Sequence, residues 1–353
     1  MVVLRRADEA TLTAMYLGVV LNPLASKSRA DTADRCARFR RIVGPWGEVH
    51  ESRSLDHLGE IVAGLLPRVT HLVSDGGDGT LHWLLNEVRR NVADPECWPA
   101  FVPSRSGTID FVARKARVRG RAESILSALA AAADSDRPPP EVYLDTLSIN
   151  GLSINGASFQ RVGFALAAGG VGCRFFDRYY EAPNPGRAAI VKIIARAIAD
   201  TAASAGCPGR VRRPDLLRPT RARVVIDGAE VPTRMHTVLN AGSFDVNLGS
   251  VLRVFPQARE PGVLQFQAGE MSPATMIAQL PALVFGAALR GDRLCDTAGS
   301  EMTIEVDHAD EPLSPIIDGE RFTDLERLVV SVGQRVRIAR PTRLRRAAYP
   351  GVE

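Results

Sequence analysis

The sequence predicts an α/β domain followed by a β-dominated domain. Three observations carry this. The first third alternates short apolar runs with helical patterns, the arrangement of a parallel sheet with crossover helices. A proline run, Pro138 to Pro140, then closes an alanine-rich helical stretch and marks a boundary. Beyond it come alternating apolar segments separated by turn pairs such as Asn150-Gly151, Asn155-Gly156 and Asp227-Gly228, which signal antiparallel hairpins. A chain of 353 residues is also long for one core. The expected domains are 1–140 and 141–339, with 340–353 able to join the first.

In order, residues 16–22 ("YLGVVLN") read as a buried strand, followed by polar "PLASKSRAD" and a helical stretch through Phe39. Residues 70–74 ("THLVS") form a second expected strand and 100–104 ("AFVPS") a third, with a long helix at about 121–134. The second half is β-rich from "VYLDTLSING" to "LVVSVGQRVRIARP", with helical inserts near 187–204 and 273–289.

Composition narrows the function classes. Hydrophobic residues make up 45% and charged residues 24%, which is ordinary for a globular protein, and the net charge of +4 is too small to argue for a nucleic-acid partner, so none is expected. Lysine occurs only at Lys27, Lys115 and Lys192. The five cysteines, Cys36, Cys97, Cys173, Cys207 and Cys295, show no metal-ligand spacing and read as free thiols in a reducing cytoplasm. Arg5 and Arg6 are followed by no apolar region of signal-peptide type, so a cytoplasmic protein is expected. The most apolar stretch, 274–289, is interrupted by Gln279 and Pro281 and falls short of a membrane span.

The chemistry concentrates in "SDGGDGT", residues 74–80. Gly76, Gly77 and Gly79 allow a sharp turn that offers bare N–H groups to an anion. Leu81, Leu84, Leu85 and Val88 follow at helical spacing, so a helix N-terminus and its dipole point at the same place. Asp78 is placed to hold a magnesium ion on bound phosphates. An ordinary strand-to-helix turn has a similar composition. A calcium loop is excluded because Gly77 stands where an EF-hand needs Asp or Asn, and no P-loop motif occurs.

Three further segments lie where such a site would be built: Asn22-Pro23 at the end of the first strand, "PSRSGTIDF" with Ser106, Thr108 and Asp110 after the third, and "PIIDGERF" with Asp318 and Glu320. Each is weak singly, since Asp-Gly-Glu is commonly just a turn. Taken in order, Asn-Pro, Gly-Gly-Asp-Gly-Thr, Pro…Gly-Thr…Asp-Phe and Asp-Gly-Glu resemble the diacylglycerol kinase catalytic family, which includes sphingosine and ceramide kinases and soluble bacterial lipid kinases. The resemblance spans residues 16 to about 322. NAD kinases share the glycine-aspartate motif.

The resemblance implies a Rossmann-like nucleotide domain and a β-sandwich-like domain enclosing a cleft, with ATP and Mg²⁺ as cofactors. It implies that Asn22, Pro23, Ser26 and the loop after them touch the nucleotide, that Gly76, Gly77, Asp78, Gly79 and Thr80 cradle its phosphates, and that Ser106, Thr108 and Asp110 lie alongside. Asp145 matches an acidic residue opening the second domain, and Asn240 a structural asparagine. Asp318 matches the general base that accepts the lipid hydroxyl proton, with Glu320 on the metal or nucleotide side. The chain departs from the pattern in four places. "NPLASKS" lacks a glycine, Leu81-His82-Trp83 replaces Leu-Asn-Glu, and "GTIDF" is shortened by an asparagine. At 260–265, "EPGVLQ" stands where bacterial members carry a structural magnesium site, so no structural metal is expected there.

His82 reads as a solvated surface residue beside the loop and His71 as structural. An amphipathic helix at 188–204, with Lys192 and Arg196 on one side, and a basic C-terminal segment suit the surface of an anionic membrane, the expected location being its inner face. Each could equally be packed structure or solvated chain. The expected acceptor is an amphiphilic lipid of diacylglycerol, sphingoid or ceramide type, and a homodimer through the second domain fits. Two alternatives accompany this reading: a kinase of NAD type with a soluble substrate, and a catalytically silent nucleotide- or lipid-binding homologue.

Overall fold

The computed structural model describes residues 14–23, 32–205 and 215–341. The chain forms two compact units, one made of residues 1–143 and 337–353 and the other of residues 144–336.

In the first unit, β1 (Leu17–Leu21), β2 (Gly47–Glu51), β3 (His71–Asp75), β4 (Ala100–Pro103) and β5 (Glu141–Leu144) alternate with α1 (Thr32–Val43), α2 (Leu55–Leu65), α3 (Asp78–Asn91), α4 (Phe111–Lys115) and α5 (Ala122–Asp134). The sheet runs β2-β1-β3-β4, then the late strand Val336–Ala339, then β5. β1 is parallel to β2 and β3, and β4 is parallel to β3 and to the late strand. Leu17, Val19, Val20, Leu21, Leu72, Val73 and Phe101 are almost wholly buried, as expected for a parallel sheet covered on both faces. The apolar stripe predicted on α3 packs inward, with Leu81, Leu84, Leu85 and Val88 all buried.

The second unit is antiparallel. One sheet contains β6 (Leu147–Ser153), β7 (Ser158–Gly163) and the strands 223–226, 229–230, 301–305 and 325–332. The other contains β8 (Ala165–Gly169) and the strands 238–242, 264–270, 293–299, 316–317 and 320–321. Ile149, Val224, Ile304 and Val330 from the first sheet share a core with Leu166, Leu239, Phe266 and Ile317 from the second. Two sheets thus bury their inner faces against each other, as in a sandwich. The chain passes from one sheet to the other at Phe164, between β7 and β8.

A helix not expected from the sequence, α6 (Gly170–Glu181), precedes α7 (Arg187–Ala205). The inserts expected near 187–204 and 273–289 appear as α7 and as two short helices, Pro273–Ala278 and Leu280–Phe285. The second insert is broken at Gln279, one residue before the helix that contains Pro281, because proline cannot donate the hydrogen bond a continuous helix needs. Among the described residues no helix is long and apolar enough to cross a membrane.

Candidate functional site

The parallel register of the first sheet decides which residues meet. Leu21 is level with Asp75, and Ser74 with Pro103, so the chain leaves β1, β3 and β4 at one carboxyl edge. Asn22, Asp75 to Gly77 and Ser104 to Gly107 therefore gather there, the edge at which open α/β sheets bind ligands.

Asp75 ends β3 and is fully buried. Its charge is answered by Arg35 of α1, whose Nε and Nη2 donate to the two carboxylate oxygens at 2.7 and 2.8 Å. The Ser104 and Ser106 hydroxyls each donate to Oδ1 at 2.7 Å. The hydrogen bonds to Asp75 raise the Arg35 pKa above its ordinary value, against the opposing effect of burial. A buried carboxylate is stable only with such compensation, so Asp75 and Arg35 clamp the base of the loop. Neither residue follows from motif reasoning. The available signal is an acid closing a short strand immediately before the glycines.

Above this clamp the two loops touch backbone to backbone. A Cβ on Gly107 would lie 2.3 Å from the Gly77 Cα and 2.6 Å from Asp110 Oδ1, and one on Gly76 would lie 2.1 Å from Thr80 Oγ1. Glycine is required here by space. Ser106 N donates to Gly76 O at 3.2 Å, and Gly107 N to Asp110 Oδ1 at 2.9 Å. Asn22 reaches across from β1, its Nδ2 donating to Thr80 Oγ1 at 3.0 Å. Asp110 is buried in a left-handed conformation (φ 54°) just before α4.

Asp78 is the first residue of α3, with Gly77 as its N-cap. Its two oxygens accept from Phe111 N and Val112 N, both at 3.1 Å, so it caps α4 across the loop. The amides of Asp78, Gly79 and Thr80 precede the first intrahelical bond, Leu81 N to Gly77 O at 3.2 Å, and they are the groups a helix start offers to an anion.

Of the residues singled out in this unit, Asn22, Gly76, Gly77, Asp78, Thr80, Ser106 and Asp110 are joined by these contacts. Ser106 is engaged by Asp75 and Arg35, and Thr108 is exposed. Gly79 is partly exposed on the first turn of α3, Pro23 follows Asn22 at the edge, and Ser26 lies outside the described residues. His82 corrects an expectation. It is fully buried, not solvated, and its ring packs edge-on to Trp83 at 5.5 Å while Asn86 Nδ2 lies 3.4 Å from Nε2. Position 82 falls on the α3 face that meets the interior, which the four-residue apolar stripe did not reveal. His71 is buried beside Thr70 Oγ1 at 2.9 Å, and burial pushes its pKa down to about 4, helped by Arg337.

In the second unit, Asp318 and Gly319 form a two-residue hairpin turn with φ of 52° and 94°, joining Ile316–Ile317 to Glu320–Arg321. Asp318 is 4% exposed. Its carboxylate accepts from Phe164 N at 2.9 Å and 3.1 Å and from Ala165 N at 2.9 Å, at the crossover between sheets. Its own N–H donates to Ala165 O at 3.0 Å. Gly163 is needed beside it, since a Cβ there would lie 2.8 Å from Asp318 Oδ2. Gly319 faces Tyr180 of α6, whose hydroxyl would be 2.6 Å from an added Cβ. Glu320, half-buried, follows on the return strand.

Asp145 is buried and anchors two segments: it accepts from Gly262 N at 3.0 Å and pairs with Arg335 at 3.0 Å. The stretch 260–265 thus meets a carboxylate through its backbone, and Gln265 in turn hydrogen-bonds Asp296 and Gln257 N. Asn240 lies in the strand 238–242, its Oδ1 against Gly172. Among the described residues no three His, Cys, Asp or Glu side chains cluster as metal ligands.

Neither a family model nor a curated protein matches the sequence. Solved structures do match. A diacylglycerol kinase structure from Bacillus anthracis str. Sterne aligns over 93% of this chain and 97% of its own, at TM-score 0.57 and 11% identity. Another from that organism, provisionally given the same name, aligns over the same shares at TM-score 0.62 and 13% identity. This chain has the fold of those proteins. The yeast NADH kinase complexed with NADH also aligns, over 94% of this chain and 84% of its own, at TM-score 0.53 and 11% identity.

Proposed function

We propose that the protein is an ATP-dependent kinase that phosphorylates a hydroxyl of an amphiphilic lipid. The observation that carries this is the loop after β3. There Gly76, Gly77 and Gly107 leave no room for side chains, and the first amides of a 14-residue helix follow at once, in a fold shared with kinases. Such a cradle suits a chain of phosphates, because fixed N–H dipoles stabilise their charge without reorganising.

The residues present fit a magnesium ion that travels with the nucleotide better than one held in a protein cage. Asp78 is the carboxylate beside the loop, and it already accepts two backbone N–H groups, so its remaining lone pairs or a bridging water would reach the metal. The ion would neutralise charge on the transferred group. Gly76 to Thr80 hold the phosphates and Asn22 steadies Thr80. Asp318 accepts the hydroxyl proton as that oxygen bonds to the γ-phosphorus and the bridging bond to ADP breaks. Three amide hydrogen bonds and the hairpin fix the direction of its carboxylate, which is what a general base requires. On α7, exposed Val191, Ile198 and Lys192 give a surface on which the protein could rest against an anionic bilayer from the cytoplasmic side.

The test is transfer of label from radiolabelled ATP with Mg²⁺ to diacylglycerol, sphingosine or ceramide in mixed micelles. Label on one lipid, lost in Asp318→Asn, is the expected result. The NADH kinase similarity supports a second reading, a soluble nucleotide acceptor. Label appearing on NAD or NADH without lipid, and on no lipid, would replace the first reading by the second.

A further inference from the structure

The second unit holds a cavity of about 530 Å³ that the chemistry above leaves unused. It opens between the start of α6 and the segments 218–221 and 310–314. Four guanidinium groups line it, those of Arg174, Arg218, Arg221 and Arg321, against three carboxylates. Three of the arginines have acidic partners. Arg218 pairs with Glu311 at 3.1 Å, Arg221 with Asp310 at 3.5 Å, and Arg321 with Asp177.

Arg174 differs. Its Nη1 donates to two main-chain carbonyls, Arg218 O at 2.8 Å and Gly170 O at 3.3 Å, and among the described residues no carboxylate lies within ion-pair distance of it. The planar group is thereby held by one nitrogen, leaving Nε and Nη2 to donate in parallel, the geometry that matches two oxygens of a phosphate. The cavity therefore carries one uncompensated positive charge. Its other polar groups agree with an anion. Thr220 Oγ1 accepts from Gly170 N at 2.9 Å, so its proton can be donated elsewhere, and Ser314 also lines the cavity. The N-terminus of the 12-residue helix α6 adds a positive field of the same sense. The volume exceeds what a bare anion fills and falls in the range of small-molecule sites.

We propose that this cavity binds a phosphate-bearing ligand, with Arg174 as its two-pronged anchor. The site is independent of the kinase reading. Two sources share the chemistry: the head group of an anionic phospholipid and a soluble phosphate compound.

The full-length protein would be titrated calorimetrically with inorganic phosphate and co-sedimented with phosphatidylcholine vesicles with or without phosphatidic acid. Arg174→Gln should weaken binding of at least one probe tenfold or more. Arg290→Gln, an equal charge loss at an exposed loop position of the same unit, should stay within twofold. Loss towards inorganic phosphate identifies a soluble ligand, and loss confined to phosphatidic-acid vesicles identifies a head group. Heat that survives in Arg174→Gln belongs to another site, such as the Gly76–Thr80 loop. Because Arg174 ties α6 to Arg218, a second variant, Ser314→Asp, keeps that tie and places a carboxylate in the cavity. It should lose binding equally, with an unchanged near-ultraviolet circular dichroism spectrum. The proposal fails if the wild type binds neither probe, or if both folded variants bind as it does.

Discussion

Each unit has an Asp-Gly step with a buried acid, Asp75-Gly76 in the first and Asp318-Gly319 in the second, and the two hold their carboxylates by different means. Asp75, before Gly76, is buried against a guanidinium and two hydroxyls and is part of the scaffold. Asp318, before Gly319, is nearly as buried, yet takes its bonds from the backbone amides of Phe164 and Ala165. A carboxylate matched to a fork-shaped cation is locked. One aimed by main-chain amides keeps a defined direction while its chemistry stays with the oxygens. On the proposed reading, the difference separates an acid that builds a site from one that acts in it.

The sharpest way to break this comparison is to remove each acid in turn. Asp318→Asn should lower phosphoryl transfer by about 10³-fold, within the range of general-base contributions, while the thermal midpoint moves little. Full activity in that variant would remove Asp318 from the chemistry. Arg35→Ala should act in the opposite sense, on stability. It leaves the Asp75 charge buried and unpaired, and breaking such a pair costs about 3–5 kcal/mol, read as a shift in the denaturant midpoint. A shift below about 1 kcal/mol would show that the serines alone satisfy Asp75.

Gly107→Ala tests the contact between loops. The added methyl would press on Gly77 and Asp110, at a cost of about 2–3 kcal/mol, and nucleotide binding should weaken with it. Wild-type affinity for ATP in this variant would argue that the loop pair is not the phosphate cradle.

The smallest effect is a pH dependence carried by one histidine in each unit. Burial lowers the pKa of both His71 and His236 to about 4. The unfolded chain, with its histidines near 6.5, takes up protons first as pH falls, so stability drops between pH 6.5 and 4. At pH 5 the loss is about 2 kcal/mol per imidazole. His71→Asn and His236→Asn should each flatten the acid side of a stability–pH curve, and unchanged curves would place these rings in contact with water.

Much of the scaffold was legible, because periodicity is local. The α3 stripe and the turns at Asn155-Gly156 and Asp227-Gly228 each depend on neighbours within one turn of helix or hairpin. Asn150-Gly151, expected as a turn, lies instead inside β6, where it pairs with strands on both sides. The outward reading of His82 failed because its burial depends on what packs against that face of α3, and Arg35 went unnoticed because its partner lies 40 residues away. Glycine's need at Gly107 could not be read either, since the obstacle is the backbone of Gly77, 30 positions earlier in the chain.

Composition and spacing were enough to determine the parallel α/β half, the antiparallel half and the glycine-rich turn onto a helix, since each expresses a backbone preference that short segments carry. Tertiary structure alone decided that Val336–Ala339 inserts beside β4 in the first sheet, far from its neighbours in sequence. It alone distinguished Asp318-Gly319 from Asp227-Gly228. Both turns have positive φ at both residues, 52° and 94° against 46° and 82°. Asp227 remains at the surface, whereas Asp318 is folded into the crossover between two sheets. Turn geometry is a property of two residues, but burial is set by whatever the rest of the chain brings to them.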